Sequence, residues 1–146
     1  MNKFFSRVLF SIVALVSLTN TQCEENDDIV NDCDKWVIVD GDYYNNLESA
    51  NFSFISIGID EDCLSIDMSS SGCDGNSWDY KLVDSGAVAE SFPEQRYLKF
   101  ELINNEICQA VFTKNVTFNL EPIRIEGSNE IILHIEGYEE TLTYSN

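Results

Sequence analysis

Hydrophobic and polar residues alternate in segment after segment of this chain, with the period of two that is typical of half-buried β-strands. Leu64, Ile66 and Met68, for example, alternate with polar residues, and a short apolar run at 36–39 precedes them. The other alternating sets are Ile55, Ile57 and Ile59; Trp78, Tyr80 and Leu82; Leu98, Phe100 and Leu102; Val116, Phe118 and Leu120; Ile131, Leu133 and Ile135; and Leu142 with Tyr144. Helical spacing is absent from segments of comparable length, so the pattern predicts an all-β domain.

Residues that favour turns separate the predicted strands. They fall at 40–42, 71–72, 74–76, 104–105 and 127–129. Seven or eight short strands joined by such turns predict a two-sheet sandwich, for which an immunoglobulin-like arrangement is one possibility. A small β-barrel is the alternative, because alternation alone does not reveal whether a sheet closes on itself.

The first 22 residues have the layout of a secretory signal peptide. A basic N-terminus precedes an apolar run at 8–18, which is too short to span a bilayer because a spanning helix needs about 20 residues. We therefore predict a signal peptide at 1–22, an acidic tether at 23–32 and a single β domain at 33–146. The mature protein is expected to be exported, and either soluble or lipid-anchored.

The chain carries 26 acidic and eight basic residues, a formal net charge of −18 at pH 7. Removal of the signal peptide takes away two basic residues and no acidic ones, so the mature net charge is near −20. Such a surface repels phosphate backbones and anionic headgroups, which argues against nucleic acid as a partner. Hydrophobic residues make up 44% of the sequence and are interspersed with the acids, which predicts a folded core.

The chain has five cysteines: Cys23, Cys33, Cys63, Cys73 and Cys108. Cysteines of an exported protein usually pair in disulfides, and an odd number leaves one of them without a partner. We predict that Cys23, directly after the signal segment, carries lipid and that the other four form two disulfides. The Ser-Ser-Ser-Gly stretch between Cys63 and Cys73 resembles a flexible turn, which favours Cys63–Cys73 and, by elimination, Cys33–Cys108. Four cysteines allow three connectivities, so the other pairings stay open.

The region around Cys23 resembles the signals of bacterial lipoproteins, in which the cysteine is diacylated and becomes the mature N-terminus. Gln22 and Asn20 depart from the small and aliphatic residues that such signals carry at those places. The acidic run at 24–28 resembles the export tag of surface lipoproteins in Bacteroidota-type bacteria. The resemblance implies an outer-membrane or cell-surface protein that meets the membrane through its lipid.

Three longer stretches are similar to an uncharacterised family of lipoproteins from the same bacteria. They are CLSIDMSSSGCDGNSWDYKLVDS, RYLKFELINNEICQAVFTKNVTFNLEPI and EGYEETLTY, and together they cover much of the mature chain. This resemblance implies export, disulfides and an all-β fold, and it implies no activity.

Two acidic loops offer oxygen ligands of the kind that calcium requires. Asp40 and Asp42 belong to the first loop and Asp74 to the second. Neither loop has the ligand spacing of an EF-hand, and acidic clusters arise by chance in so acidic a chain. We interpret both loops as solvated turns and predict no cofactor, with a calcium-stabilised structural domain as an alternative.

Four aromatic residues are candidates for stacking against a ligand. Tyr43 and Tyr44 lie in a polar segment and are the predicted exposed pair. Trp78 is a weaker candidate that follows the loop we expect a disulfide to brace. Trp36 and Trp78 both lie in strand-like runs, where large aromatic residues usually belong to the core.

No catalytic set is predicted. His134 has strand residues on both sides, lacks ligand spacing to a cysteine for zinc, and has no accompanying nucleophile motif. A pair of glycosidase-like carboxylates among the acids would make a small extracytoplasmic hydrolase, which is the alternative. We predict a non-enzymatic cell-envelope module that binds a protein or a glycan.

Overall fold

The structure, a computed structural model, describes residues 33–145, which form two β-sheets packed as a sandwich. The predicted signal peptide at 1–22, the tether at 23–32 and the lipid site at Cys23 lie outside these residues. The described elements are β1 Lys35–Trp36, β2 Ile38–Val39, helix α1 Gly41–Asn46, β3 Ser53–Asp60, β4 Cys63–Gly72, β5 Asp79–Ala89, β6 Glu94–Ile103, β7 Ala110–Asn119, a 3₁₀ turn Glu121–Ile123, β8 Glu130–Ile135 and β9 Leu142–Ser145.

The strand order is β1-β7-β4-β3 in the first sheet and β2-β5-β6-β8-β9 in the second. Neither sheet closes on itself, so the predicted sandwich is confirmed and the barrel alternative is excluded. Both sheets are mixed, because β1 with β7, β2 with β5 and β6 with β8 are parallel pairs. The immunoglobulin sandwich has two antiparallel sheets. The likeness to it is therefore limited to the two-layer packing.

The core lies between the sheets and consists of the inward faces of the long strands. The alternating sets predicted on β4, β6, β7 and β8 are buried, with relative exposures of 3% or less: Leu64, Ile66, Met68, Leu98, Phe100, Leu102, Val116, Phe118, Leu120, Ile131, Leu133 and Ile135. Full burial of one large apolar side chain contributes about 1.5–3 kcal/mol. This interior is the main source of the domain's stability.

Strand β3 departs from the predicted alternation. Its register against β4 shifts between Phe54 and Ser56, which marks a β-bulge. The bulge lets Ile57 turn into the core while Ile55 is left 57% exposed. The prediction that Ile55 shares one buried face with Ile57 and Ile59 is therefore wrong.

The disulfides join Cys33 to Cys63 and Cys73 to Cys108, with Cα–Cα distances of 5.7 and 4.8 Å. The predicted Cys63–Cys73 and Cys33–Cys108 pairs are wrong. The ten residues from Cys63 to Gly72 form one strand, so Cys63 and Cys73 lie at its opposite ends, about 30 Å apart at about 3.3 Å per residue. Two disulfides indicate folding in an oxidising, extracytoplasmic compartment.

A short helix, α1, stands where a turn was predicted at 40–42. Asp40 caps it, since the Asp40 carboxylate accepts a hydrogen bond from the Tyr43 N–H at 2.9 Å. Six residues are too few to show helical periodicity in a sequence. Within 33–145 we find no helix that is long and apolar enough to cross a membrane.

A hydrogen-bonded group links the two sheets where β3 turns into β4. The buried Tyr144 hydroxyl donates to Asp62 Oδ1 at 2.5 Å and accepts from Arg124 Nε at 2.9 Å. Arg124 Nη2 also donates to Asp62 Oδ1 at 2.5 Å. The Tyr144 hydrogen bond lowers the pKa of Asp62, and burial raises the pKa of Tyr144 to about 12.

Candidate functional site

A groove opens on the side of the sandwich, between the start of β3 and the loop that joins β8 to β9. Residues 52–55 line one wall and residues 136–140 line the other, around a cavity of about 600 Å³. Cavities of this size accommodate small ligands or the side chains of a bound peptide. The groove lies where β3 is the edge of the first sheet and β9 is the edge of the second. We call it the edge groove.

Aromatic rings that pack edge to face form the floor of the edge groove. The Phe52 ring centroid lies 4.9 Å from that of Phe54 and 5.0 Å from that of the buried Phe100. The Tyr138 ring meets Phe54 at 5.8 Å, again edge to face. Such contacts contribute about 0.5–1.5 kcal/mol beyond the buried area, so they hold the floor in place.

Gly137 lets the β8–β9 loop fold back onto β3. Its φ of +83° is in the left-handed region that glycine adopts without strain. A Cβ atom at this position would lie 3.7 Å from the Phe54 ring, so the loop backbone lies close to the groove floor. The loop is fixed further by the Glu136 N–H, which donates to the Leu98 carbonyl at 2.9 Å, and by the Tyr138 N–H, which donates to the Ile135 carbonyl at 3.0 Å.

Three exposed glutamates, Glu136, Glu139 and Glu140, form the acidic rim of the edge groove. Glu136 pairs with Lys99 at 3.4 Å and is itself 65% exposed. Neither Glu139 nor Glu140 takes part in an ion pair within residues 33–145. Two carboxylates therefore face solvent at the groove without a basic partner from the described part of the chain.

The remaining surface is also strongly negative. The described residues include six basic and 21 acidic side chains, a net charge of −15. Five of those six basic residues are in ion pairs with acids. Among them, Arg96 forms a buried bidentate pair with Asp84. A partner of this domain therefore meets a field that attracts cationic groups and repels anionic ones.

Tyr43 and Tyr44 are on α1, half-buried against the second sheet, and not in an exposed loop as predicted. The Tyr43 hydroxyl donates to Glu101 Oε2 at 2.5 Å and accepts from Lys81 Nζ at 2.6 Å. Lys99 Nζ lies 4.5 Å from the centre of the Tyr44 ring and also pairs with Glu136. Both tyrosines are therefore engaged within the domain, and Tyr44 adjoins the rim of the edge groove through Lys99.

These contacts shift the pKa values of one side chain on α1 and one on the second sheet. The hydrogen bond to Tyr43 raises the pKa of Lys81. Partial burial, with Glu136 nearby, raises the pKa of Tyr44. Both shifts keep the proton on its present group at neutral pH.

Trp78 belongs to the core and is 8% exposed, so it is not the surface binding residue that its position after a loop suggested. Its indole Nε1 has no hydrogen-bond partner in the part of the chain that the structure describes. The core interpretation is confirmed for Trp78 and is wrong for Trp36, which lies on the two-residue strand β1 and is 39% exposed.

The loop that follows β4 binds a carboxylate of the same chain. Glu106 Oε2 accepts hydrogen bonds from the N–H groups of Cys73, Asp74 and Gly75 at 2.5, 3.2 and 3.1 Å, and Glu106 Oε1 accepts one from Ser77 Oγ at 2.6 Å. The Ser77 hydroxyl and these N–H groups lower the pKa of Glu106 to about 2. Glu106 thus organises the loop between β4 and β5, a role that sequence reasoning missed.

Two of the three candidate calcium ligands accept hydrogen bonds from backbone N–H groups. Asp40 caps α1, and Asp42 lies in the first turn of that helix. The Asp74 carboxylate accepts a hydrogen bond from the N–H of Asn76 at 2.8 Å, which closes an Asx turn. Residues 33–145 contain no group of three or more acidic, histidine or cysteine side chains arranged to hold a metal ion.

His134 lies on the outer face of the second sheet. Its ring stacks on Tyr97 with centroids 4.9 Å apart, and its Nε2 lies 2.7 Å from Gln95 Oε1. These neighbours are neither an acid that orients a general base nor a nucleophile that such a base activates. The arrangement is that of a packed surface residue.

The edge groove itself was not predicted. Its two walls are separated by about 80 positions in sequence, and only the packing of β3 against the β8–β9 loop brings them together. One signal was available: the EGYEE segment at 136–140 places an aromatic residue among three acids.

No protein-family model matches this sequence, and no curated protein matches it. Three solved structures share the fold. A NigD-like immunity protein from Bacteroides caccae superposes with a TM-score of 0.57 at 10% identity and over 76% of this chain. A protein of unknown function, DUF1344, from Bacteroides vulgatus gives 0.53 at 15% identity over 77%. A putative toxin related protein from Parabacteroides distasonis gives 0.52 at 16% identity over 77%.

The chain spans 56–63% of the length of these three neighbours. At 10–16% identity the likeness shows the fold alone. The neighbours come from Bacteroides and Parabacteroides, in keeping with the bacterial group that the sequence resemblance indicated. The chain is therefore an extracytoplasmic, disulfide-bonded β-sandwich whose fold recurs in longer proteins of those bacteria.

Proposed function

We propose that this protein is a non-enzymatic, lipid-anchored module of the cell envelope that binds a protein partner in the edge groove. The observation that carries the proposal is the groove itself, which combines a packed aromatic floor with an acidic rim in which Glu139 and Glu140 have no ion-pair partner among residues 33–145. Interfaces are typically built in this way, from a desolvated aromatic centre surrounded by polar groups.

The geometry of the floor favours a polypeptide over a glycan. A sugar ring stacks on the open face of an aromatic side chain, whereas Phe52, Phe54 and Tyr138 direct their faces and edges towards one another. The exposed Ile55 beside them adds an aliphatic contact. An apolar side chain of a protein fits such a surface better than a sugar does.

An exported position supports the binding role. The two disulfides indicate an oxidising compartment, and a lipid on Cys23 would hold the domain at the membrane. One fold neighbour is described as an immunity protein. A role through binding rather than turnover is consistent with that description.

The test compares two surface variants of the mature protein. Ile55→Asp adds a charge beside the groove floor, and Val111→Asp makes the same kind of change on β7, where Val111 is 72% exposed. Each variant is immobilised and exposed to envelope extract of the source bacterium, and bound proteins are identified by mass spectrometry. We expect Ile55→Asp to lose a partner that both the wild type and Val111→Asp retain.

Equal capture by all three proteins, or turnover of a substrate by the wild type, would contradict the proposal. Circular dichroism of both variants controls for folding. Neither position is part of the core, so we expect stability changes within about 0.5 kcal/mol.

A further inference from the structure

Strand β3 is a free edge of the first sheet. The sheet order ends at β3, whose backbone is hydrogen-bonded to β4 alone, although β9 of the second sheet lies close to it. Outside the sheet ladders, none of the backbone hydrogen bonds within residues 33–145 involves residues 53–60. An unpaired edge is a template for another strand, because its N–H and C=O groups already point outward in a row.

The register identifies which backbone groups point outward. Glu61 and Asp62 form a two-residue turn, with Asp60 opposite Cys63. In such a hairpin the residues that flank the turn form a hydrogen-bonded pair, and every second pair does so. Asp60, Gly58 and Ser56 therefore direct their backbone groups to β4, and Ile57 and Ile59 direct theirs to the open edge.

This edge lacks most of the devices that prevent strand addition. Edge strands are commonly protected by lysine, proline or inward charge. The β3 sequence, SFISIGID, contains neither lysine nor proline, and its single charge is the terminal Asp60. The bulge at Ile55 is the one such device in β3, and it leaves 56–60 regular. The edge groove begins on the other side of the bulge, at residues 52–55.

We propose that an extended, cationic segment of a partner protein adds to β3 as a strand and directs basic and apolar side chains into the edge groove. The inference rests on the proposed protein-binding function and names the chemistry of the partner. The partner segment is expected to be cationic by charge complementarity, because Glu139 and Glu140 have no ion-pair partner in residues 33–145. A second copy of this chain is disfavoured, since its described residues carry a net charge of −15 as well.

The segment is expected to alternate in character, as strands do. Side chains on one face of an added strand project towards the aromatic floor and are apolar, and those near the β8–β9 loop are lysine or arginine. Main-chain hydrogen bonds supply affinity in this mode, and the alternate side chains supply specificity.

The probe is a short fluorescent peptide of alternating lysine and valine, titrated with the full mature protein by anisotropy. The double variant Glu139→Lys with Glu140→Lys changes the rim. Glu126→Lys with Glu130→Lys makes the same change of charge at two exposed sites, one before β8 and one at its first residue. A second peptide carries the same side chains with every backbone N–H methylated, so it cannot form a ladder. Salt is held constant throughout.

We expect the rim variant to weaken binding by about tenfold or more, and the matched control to weaken it far less. We also expect the methylated peptide to bind poorly, and hydrogen exchange to slow at Ile57 and Ile59 when the unmodified peptide is bound. Equal weakening by the two double variants would reduce the interaction to diffuse charge and overturn the proposal. Equal affinity of the two peptides would overturn strand addition.

Two further outcomes separate this inference from the proposed function. If Ile55→Asp loses a native partner while the peptide fails to bind, protein binding stands and strand addition is wrong. If the free protein is a dimer that the peptide does not dissociate, the edge serves pairing between copies and the cationic partner is wrong. Sedimentation velocity of the full mature protein gives the oligomeric state.

Discussion

Exchanging both cysteines of one disulfide for serine should lower the free energy of unfolding by about 4 kcal/mol. The disulfide reduces the number of conformations open to the unfolded chain, and the exchange restores that entropy. The bridged residues are 30 positions apart in Cys33–Cys63 and 35 apart in Cys73–Cys108. Loops of that length give about 3.5–4 kcal/mol each on the chain-entropy model. The total stability of a small domain is about 5–15 kcal/mol, so either loss is large.

Urea unfolding of three double variants tests both the magnitude and the pairing. Cys33→Ser with Cys63→Ser removes one bridge, and Cys73→Ser with Cys108→Ser removes the other. Cys63→Ser with Cys73→Ser takes one partner from each bridge and should cost about twice as much, near 7–8 kcal/mol. If the last variant instead lost only about half as much as each of the first two, Cys63 and Cys73 would be partners and the account of β4 would be refuted.

Peptide mapping gives the same answer chemically. Met68 lies between Cys63 and Cys73, so cyanogen bromide followed by trypsin separates them into peptides 36–68 and 69–81. We expect 36–68 to be bonded to the peptide that ends at Lys35, and 69–81 to be bonded to 100–114. A covalent link between 36–68 and 69–81 would contradict the structure.

Three other predictions concern the buried hydroxyl, the loop carboxylate and the anchor. Tyr144→Phe should lower the free energy of unfolding in urea by about 1.5–3 kcal/mol, since it removes hydrogen bonds to the charged Asp62 and Arg124. The folded pKa of Tyr144 is raised to about 12, so the stability that its hydroxyl contributes should be present below pH 10 and decline as the pH rises through 12. Glu106→Gln should lower the urea midpoint at pH 7. The difference in midpoint between wild type and variant should shrink as the pH falls from about 4.5 to 2, because the folded pKa of Glu106 is depressed to about 2. A difference that stays constant over that range would exclude the loop carboxylate as a source of acid sensitivity. Cys23→Ser should release the domain from membranes or leave an uncleaved precursor, and intact mass of wild type should show a diacylglycerol adduct on Cys23; a mature N-terminus elsewhere would exclude the anchor.

The long strands could be predicted because every second residue faces the opposite sheet, where apolar side chains are favoured. In β4, β6 and β8, the opposite sheet packs on one face of the strand, so the inward positions are apolar except for the buried Ser70 in β4 and Arg96 in β6. Strand β3 lacks a partner on one side, and a bulge there shifts the pattern by one residue. Alternation therefore failed at Ile55, in the strand where the edge groove begins.

The disulfides and the groove depended on information that local sequence does not hold. Ser-Ser-Ser-Gly has the composition of a turn, yet it continues β4, where Ser70 Oγ donates to the Asn51 carbonyl at 2.7 Å. Its pairing along β7 overrides the local preference, and this moves Cys73 next to Cys108. The groove combines two distant segments, and neither segment alone has the composition of a binding site.

The claim that the edge groove is the partner-binding face can be tested in living cells with a photo-crosslinking amino acid. The residue p-benzoylphenylalanine is placed at Ile55 in one strain and at Val111 in another, in the full-length chain with its own N-terminus. Irradiation should join a partner to position 55 and not to position 111, since both are exposed strand positions and only Ile55 borders the groove. An adduct at 111 without one at 55 would contradict the account.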